Sequence, residues 1–269
     1  MPNALSGTLI PLDEVKDLLL SLISNLDTFC RERGIRYSLA YGSLIGAVRH
    51  QGFIPWDDDI DIYMPRPDYL RLIQEYNHPY YEIRCQDNDP EYPLLFAKLC
   101  DTRTCSIDKF GNSSPIAIDI FILDGMGATL SEAKANIRKA KCLQRIWSNQ
   151  LFTAKIPLSR ENGLLKNIYI ILGKIFSRFI SIESLVKKMN AFKCSHPVDG
   201  SKYCSILEGP FAVYETEKML LFEDASFEGL VIRIPVHYDY LLKKDYGDYM
   251  QLPPENERVV THEANAYWV

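Results

Sequence analysis

The feature that most constrains this chain is an acidic run at residues 57–62, DDDIDI. Four carboxylates within five positions repel one another unless a cation lies among them. Ile60 and Ile62 argue against a solvated loop, because alternate residues of a strand point to opposite faces. If the isoleucines point into a core, Asp59 and Asp61 point together to the other face, with Cα atoms about 6.5 Å apart. The two carboxylates could then bind one hard cation such as Mg²⁺.

The segment before the acidic run predicts a phosphate-binding turn. Residues 37–41 (YSLAY) are typical of a strand and residues 44–49 (LIGAVR) of a short helix, with Gly42 and Ser43 between them. A Gly-Ser pair in this position leaves backbone N–H groups at a helix N-terminus, where the helix dipole favours an anion. The sequence therefore predicts a phosphate cradle beside a metal clamp.

Three other interpretations of the acidic run stay open. In a calcium-binding loop Asp57, Asp59 and Asp61 would take the first, third and fifth positions, but the sixth should be Gly and is Ile62. The Asp-x-Asp clamp of sugar-nucleotide glycosyltransferases uses the same chemistry on another fold. An acidic surface turn is the simplest interpretation, and the isoleucines and the Gly-Ser pair argue against it.

A second stretch, residues 114–124 (SPIAIDIFILD), is typical of a strand buried on both faces, and Asp119 lies in its middle. A buried carboxylate needs a partner or a metal, so Asp119 is either paired with a core Arg or is a third carboxylate beside Asp59 and Asp61. Lys98 is the single charge of a predicted strand at 94–100. Lys98 either extends to water at a sheet edge or contacts a phosphate.

Bulk properties exclude several classes of protein. A net charge of −5 and a pI of about 5.6 disfavour a general nucleic-acid binder. Seven cysteines without a Cys-x-x-Cys pair predict reduced thiols in a cytoplasmic protein. The first residues lack the pattern of a signal peptide, and we find no uncharged apolar stretch long enough to span a bilayer.

The remaining pattern predicts helices around a sheet. Residues 12–33 form an amphipathic helix that Gly34 ends, and we expect it to cover one face of the sheet. Composition changes near residue 129, where residues 131–148 read as a basic helix. Residues 164–180 are strongly apolar, with basic side chains interspersed at Lys166, Lys174 and Arg178. This helix is either buried in a helical subdomain or lies at an anionic membrane surface.

Three stretches of the chain resemble the LicD family. They are residues 41–62 (YGSLIGAVRHQGFIPWDDDIDI), residues 116–124 (IAIDIFILD) and a closing motif at residues 246–254 (YGDYMQLPP). Members of that family are phosphorylcholine transferases acting on teichoic acids and lipopolysaccharide, and fukutin-type ribitol-phosphate transferases are distant relatives. The similarity reaches from about residue 12 to about residue 260 and is weakest over 128–200.

The resemblance implies an α/β (α+β) fold: a nucleotidyltransferase-like mixed sheet flanked by helices, with an inserted helical subdomain. We expect a single LicD-type domain over 1–269, with its core at about 12–127 and 205–260. The helical subdomain would occupy about 128–204 and select the acceptor.

The resemblance also implies an Mg²⁺-dependent enzyme that transfers phosphocholine from CDP-choline to a sugar hydroxyl of a lipid-linked glycan and releases CMP. Asp59, Asp61 and Asp119 would bind one or two Mg²⁺ ions, and Asp119 would also accept the hydroxyl proton. The phosphate and nucleotide contacts would come from Gly42, Ser43, Arg49 and Lys98, and the aromatic faces for the choline ammonium from Trp56 and Tyr41. The enzyme would work in the cytoplasm, with peripheral contact at the inner face of the membrane and no nucleic acid.

Two further activities and one inactive state stay open for the same residues. The donor could carry ribitol phosphate or glycerol phosphate in place of choline phosphate. A nucleotidyltransferase would leave a nucleotide on the acceptor and release pyrophosphate. A catalytically inactive binding protein is disfavoured by the intact set of three carboxylates.

Overall fold

A computed structural model describes residues 7–107, 113–151, 163–177, 179, 181–209, 211–259 and 265–269. The chain forms two compact units. The first comprises the described residues of 1–84, 96–123 and 217–269, and the second those of 85–95 and 124–216. Helices and mixed β-sheets both occur, so the predicted mixed α/β class is confirmed. The predicted inserted subdomain at 128–204 stays a prediction.

The described residues form helices and strands along the whole order of the chain, with five successive strands from β4 to β8 and three successive helices from α4 to α6. The helices are α1 (Leu12–Arg33), α2 (Tyr41–His50), α3 (Arg66–Glu75), α4 (Leu130–Leu151), α5 (Gly163–Ser177), α6 (Ile182–Lys193), α7 (Thr216–Met219) and α8 (Tyr238–Tyr246), with 3₁₀ turns at Val198–Gly200 and Glu255–Glu257. The strands are β1 (Leu9–Ile10), β2 (Ser38–Leu39), β3 (Asp61–Pro65), β4 (Tyr81–Arg84), β5 (Ala97–Asp101), β6 (Thr104–Ile107), β7 (Ser113–Ser114), β8 (Ala117–Gly127), β9 (Tyr203–Ile206), β10 (Tyr214–Glu215), β11 (Phe222–Phe227), β12 (Leu230–Pro235) and β13 (Asn265–Trp268).

The strand residues that carry the site belong to the first unit, which includes β8 as far as Leu123. β3 pairs antiparallel with β2 and parallel with β8, while β5 pairs antiparallel with both β8 and β4. A separate sheet has the order β1-β13-β6-β7, and β11 and β12 form a hairpin. This arrangement puts β8 beside both β3 and β5, so residues far apart in sequence meet across neighbouring strands.

The amphipathic helix predicted at residues 12–33 is confirmed as α1. Leu22, Ile23 and Leu26 are fully buried in the core. Gly34 has φ 62°, and its backbone N–H donates to the carbonyl of Arg31 at 3.3 Å. A left-handed residue at this place favours glycine and ends the helix. α1 contacts β5 and β12, so it covers the sheet as expected.

Two predicted boundaries near the site were wrong. The strand predicted at 37–41 is restricted to Ser38–Leu39, and helix α2 already begins at Tyr41. Leu44 N–H donates to the carbonyl of Ala40 at 3.0 Å, so Gly42 and Ser43 lie within the first helical turn instead of before it. Regular strand β3 begins only at Asp61, and Asp59 lies in the connection that precedes it. The predicted burial of Ile60 and Ile62 is confirmed.

The second unit contains α4, α5, α6, β9, β10 and the last residues of β8. α4 and α6 share a core of Trp147, Leu185, Val186 and Met189. The predicted basic helix at 131–148 is confirmed by α4. No described helix is long and apolar enough to cross a bilayer.

Helix α5 contradicts its interpretation as a buried helix. Ile170 is fully buried, but Leu164 is 76% exposed and Leu165 83% exposed. Arg178, the last basic residue predicted for this helix, lies outside the described residues. The high apolar content of this segment therefore did not predict burial, since most of the apolar side chains of α5 face outward.

Candidate active site

Three neighbouring strands bring the central charges of the site together. Asp61 of β3 lies directly opposite Asp119 of β8, and Asp119 lies opposite Lys98 of β5. Lys98 Nζ donates to Asp119 Oδ1 at 2.6 Å, and the two side chains are 25% and 17% exposed. The partner of Asp119 is therefore a lysine, where the sequence suggested either an arginine or a metal. The Lys98 ammonium is thus bonded within the sheet, and its use as a phosphate contact stays a prediction.

The first turn of α2 fixes the start of β3. Ser43 is buried, and its Oγ accepts a hydrogen bond from the backbone N–H of Asp61 at 2.8 Å. The carbonyl of Asp61 accepts from Ala40 N–H at 2.9 Å. Ser43 thus holds the backbone that presents the Asp61 carboxylate, and its hydroxyl can still donate one hydrogen bond.

Gly42 brings a further carboxylate to the N-terminus of α2. A Cβ atom at Gly42 would lie 2.7 Å from Asp57 Oδ2, so a side chain at this position would force the Asp57 carboxylate to move. The first backbone bond within the helix is donated by Leu44, so the N–H groups of the preceding turn are not used by the helix itself. An anionic group is favoured at this end of a helix. The N-terminus of α2 therefore lies beside Asp57, and its use as a phosphate cradle stays a prediction.

The carboxylates of the site act on one another electrostatically. Burial, followed by the charges of Asp59, Asp119 and Asp57, raises the pKa of Asp61 to about 8 from the usual 3.8, and Lys98 opposes the shift. An acid whose neighbours are acidic resists ionisation because its charge adds to theirs. One lysine does not neutralise four carboxyl groups, so the cluster favours an additional cation.

Oxygen-only donors fit a hard divalent cation such as Mg²⁺. Asp59, Asp61 and Asp119 have this chemistry, and a cation among them would offset the repulsion that, together with burial, raises the pKa of Asp61. Within the described ranges, no three or more acidic, His or Cys side chains already surround one point closely enough to hold an ion. The cluster thus supplies suitable donors and charge without a preassembled coordination shell.

Comparison with known proteins identifies the family. Residues 34–156 match the family model for the LicD/FKTN/FKRP nucleotidyltransferase domain. The chain is also 30% identical to the lipopolysaccharide cholinephosphotransferase LicD of Haemophilus influenzae, over 96% of this chain and 98% of that protein. The chain belongs to the LicD family. The predicted recognition and the assignment as an enzyme of the transferase class are confirmed.

Two shorter matches are to uncharacterized proteins of Rickettsia. RP689 of Rickettsia prowazekii is 41% identical over 56 residues, which is 21% of each chain. RT0683 of Rickettsia typhi is 39% identical over 56 residues, 21% of this chain and 18% of that protein. Both matches cover too little of the chain to add to the family assignment.

Within this LicD-family chain, Arg49 joins α2 to the closing motif. Its Nη1 donates to the carbonyl of Tyr249 at 2.6 Å, and its Nε donates to His50 Nε2 at 2.9 Å. Burial lowers the pKa of Arg49 from its usual value. Arg49 therefore positions the closing motif, and its use as a phosphate contact stays a prediction.

The two aromatic side chains predicted to bind choline lie in different surroundings. The guanidinium of Arg258 lies 5.6 Å from the centre of the Trp56 ring, so a cation of the protein already faces that ring. Tyr41 meets Phe121 edge to face at 4.9 Å, and Phe121 lies 4.9 Å from Phe96. Tyr41 thus belongs to an aromatic group whose Phe121 is two residues from Asp119.

The β11–β12 hairpin holds the loop that leads to the acidic run. Glu228 Oε1 accepts from Phe53 N–H at 2.9 Å, and Phe53 packs edge to face on Phe227 at 5.1 Å. The same loop touches α2 so closely that a Cβ at Gly46 would lie 2.3 Å from the carbonyl oxygen of Gly52. The loop between α2 and the carboxylates is therefore held from both sides.

Sequence reasoning missed several residues of this site. Burial raises the pKa of Tyr246 most, followed by the charge of Asp245 and then by those of Asp61, Asp57 and Asp59, so the tyrosine lies near the carboxylates. Tyr246 opens the closing motif, which was a usable signal. Asp57 belongs to the acidic run, but sequence reasoning assigned it a role only in the calcium-loop interpretation. Nothing local in the sequence marked Glu228.

Proposed function

We propose that this LicD-family protein transfers phosphocholine from CDP-choline to a sugar hydroxyl of a glycan precursor of the lipopolysaccharide or teichoic acid type. Full-length similarity to a lipopolysaccharide cholinephosphotransferase supports the reaction class. The observation that carries the proposal is the pairing of Asp61 with Asp119 across β3 and β8, within reach of Lys98. Carboxylates gathered with a cation suit the transfer of a charged phosphoryl group.

The reaction exchanges one phosphate ester bond for another. The acceptor hydroxyl oxygen forms a bond to the phosphorus that carries choline, and the bond between this phosphorus and the CMP oxygen breaks. The hydroxyl proton passes to a carboxylate, for which we propose Asp119. CMP leaves with the electron pair of the broken bond.

Asp59, Asp61 and Asp119 would hold one or two Mg²⁺ ions, and the bound metal would neutralise charge that grows on the leaving CMP. The protein side chains have distinct tasks around that exchange. Ser43 orients Asp61 through the hydrogen bond to its backbone N–H. Lys98 holds Asp119 and stands beside the reacting phosphate in our proposal.

Other groups of the site would bind the CDP-choline donor. The N–H groups after Gly42 and the cations of Lys98 and Arg49 would bind phosphate oxygens. Choline has no hydrogen-bond donor, so the aromatic faces of Trp56 and Tyr41 would recognise its quaternary ammonium.

We propose a cytoplasmic reaction on a lipid-linked acceptor at the inner face of the membrane. All seven cysteines lie in described parts of the chain and are free thiols, which supports a reducing compartment. A lipid-linked acceptor would require the enzyme to approach the bilayer closely enough for the sugar hydroxyl to reach the carboxylates.

The decisive experiment identifies the products. The purified protein is incubated with Mg²⁺, CDP-choline and a lipid-linked amino-sugar acceptor, and the nucleotide and the modified lipid are analysed by mass spectrometry. We expect CMP and an acceptor carrying phosphocholine, with CDP-ribitol and CDP-glycerol reacting more slowly. Release of pyrophosphate from a nucleoside triphosphate, with a nucleotide left on the acceptor, would show nucleotidyl transfer instead.

A further inference from the structure

Helix α5 exposes a broad apolar side. At 100° per residue, its exposed apolar side chains span an arc of about 160°, and buried Ile170 lies opposite. The arc is formed by Leu164, Leu165, Ile168, Tyr169, Ile171, Leu172 and Ile175. Exposed apolar area this continuous marks a binding surface more often than a solvated helix.

Positive charge borders the apolar arc on both sides. Lys166 and Lys174 lie about 60° beyond its two edges on the same helical projection. Residues 163–182 contain no Asp or Glu. Over 128–204 the chain has 14 Lys and Arg against 4 Asp and Glu, a net charge of +10 in a chain whose total is −5. The positive charge is thus concentrated in the helical segment.

Helix α4 carries a stripe of exposed basic side chains next to α5. Their spacing places them within an arc of about 60° along one face of the helix, and they are Lys134, Arg138, Lys141 and Arg145. Asn149 continues this face one turn after Arg145, and the hydroxyl of Tyr169 of α5 donates to its Oδ1. The basic stripe therefore leads to the place where α5 packs on α4.

We propose that the α4 stripe and the α5 arc, together the α4–α5 surface, dock on an anionic lipid bilayer. Lysine and arginine attract anionic headgroups, while leucine and isoleucine enter the boundary between headgroups and acyl chains. α5 has 15 residues, fewer than the roughly 20 that span a bilayer, so it lies along the membrane plane.

A second copy of the chain fits this surface less well. Apolar arcs that met in a dimer would bring two segments of net charge +10 together, and like charges at an interface oppose association. A membrane of anionic lipid supplies the opposite charge and an apolar interior at the same time. The charge pattern therefore selects the bilayer as the occupant.

Vesicle binding tests the proposal without reference to catalysis, so a failed activity assay and a failed membrane assay are separate results. The full chain is sedimented with phosphatidylcholine vesicles that contain or lack phosphatidylglycerol. We expect binding to the anionic vesicles that falls steeply with added salt, and much weaker binding to the neutral ones. Equal binding to both compositions, or binding to neither, would overturn the proposal.

Paired variants assign the binding to the surface. Leu165→Ser/Leu172→Ser should reduce partitioning by on the order of tenfold. The control Leu221→Ser/Val231→Ser removes apolar groups that are 54% and 58% exposed in the other unit and should bind as wild type does. Arg138→Gln/Arg145→Gln should weaken binding to anionic vesicles, whereas Arg71→Gln/Arg84→Gln, a control at cations 45% and 44% exposed, should not.

Light scattering tests whether a second copy of the chain, instead of the bilayer, binds the α4–α5 surface. A dimer that dissociates on Leu165→Ser/Leu172→Ser, with unchanged vesicle binding, would assign the surface to a second copy and overturn the proposal. Circular dichroism confirms that each variant is folded. If a variant unfolds, the dependence of wild-type binding on lipid charge and salt still decides the question.

Discussion

The strand-built site and the helical segment use charge in opposite ways. At the site, acidic groups from β3, β8 and the preceding run are crowded and largely withdrawn from water, so the pKa of Asp61 rises to about 8. In 128–204 the excess charge is positive, and it is spread over exposed faces such as the stripe on α4. Crowded like charges need a counterion to offset their repulsion, whereas dispersed cations can bind a large anionic surface.

Glycines of the strand-built site and of the helical segment can also differ in packing. Gly46 leaves no space for a side chain, because the backbone of Gly52 is immediately adjacent. At Gly200, in the helical segment, a methyl group would have no other atom within 4 Å. Close backbone approach therefore constrains Gly46, whereas Gly200 has room for a side chain.

The largest expected effect is on turnover. Asp61→Asn, Asp119→Asn and Asp59→Asn should each reduce turnover by on the order of 10²–10³-fold, because each removes a carboxylate that would hold Mg²⁺ or accept the hydroxyl proton. Asp58→Asn neutralises a carboxylate of the same run outside the proposed ligands and should keep most activity. Steady-state kinetics with each folded variant measures the difference, and wild-type rates in a variant would remove that residue from the site.

The next effect tests the difference in packing. Gly46→Ala should destabilise the protein by about 1–3 kcal/mol, since its methyl group would meet backbone that cannot rotate away. Gly200→Ala should change the free energy of unfolding by a few tenths of a kcal/mol at most, in either direction. Urea denaturation of both variants measures the contrast, which would fail if the two glycines were equally tolerant.

A smaller effect concerns the ion pair in the sheet. Lys98→Met should cost about 1–2 kcal/mol of stability at neutral pH, because Asp119 loses the ammonium that it faces at 2.6 Å. Adding Asp119→Asn should recover part of this loss, with a coupling energy of about 1 kcal/mol in the double-mutant cycle. Additive losses would show that the pair does not contribute to stability.

The acidic cluster should also make stability depend on pH and Mg²⁺. The pKa of Asp61 is raised in the folded state, so its contribution is most favourable at low pH and declines as the pH rises from about 4 to about 8. Asp61→Asn should therefore gain about 1 kcal/mol relative to wild type at pH 8 and nearly nothing at pH 4.

Mg²⁺ binds the ionised carboxylates, so it should raise the melting temperature of the wild type more at pH 8 than at pH 5. Asp61→Asn should respond less to the metal. Differential scanning fluorimetry with and without Mg²⁺ gives both numbers, and K⁺ at equal ionic strength is the control. A metal response that is the same at both pH values would contradict this assignment.

The smallest expected effect lies on α5. Leu165→Ala/Leu172→Ala should change the free energy of unfolding by less than about 0.5 kcal/mol, because both side chains face outward. Leu22→Ala, at a fully buried position of α1, should cost about 2–5 kcal/mol. A large loss from the α5 pair would show that its leucines are covered in the free protein, which would remove the contrast between the two regions.

Much of the fold was predictable because the relevant signals are local. The apolar period of 12–33 and Gly34 gave helix α1, and the uninterrupted apolar run around Asp119 gave β8. The start of α2 was misplaced because Tyr41 has a preference for strands, whereas the hydrogen bond from Leu44 N–H to the Ala40 carbonyl shows that the helix has already begun there. Asp59 was placed in a strand because alternation alone does not show where pairing begins.

By itself, the sequence determined the family, the mixed fold class and the presence of carboxylates flanked by buried isoleucines. Those properties depend on the order and spacing of residues that are close in the sequence, so they can be inferred without the fold. Tertiary structure alone decided that Lys98 faces Asp119, that Glu228 holds the loop before the acidic run, and that the apolar side of α5 faces outward. Strand register and burial depend on partners distant in sequence, and their energies arise only when the chain is folded.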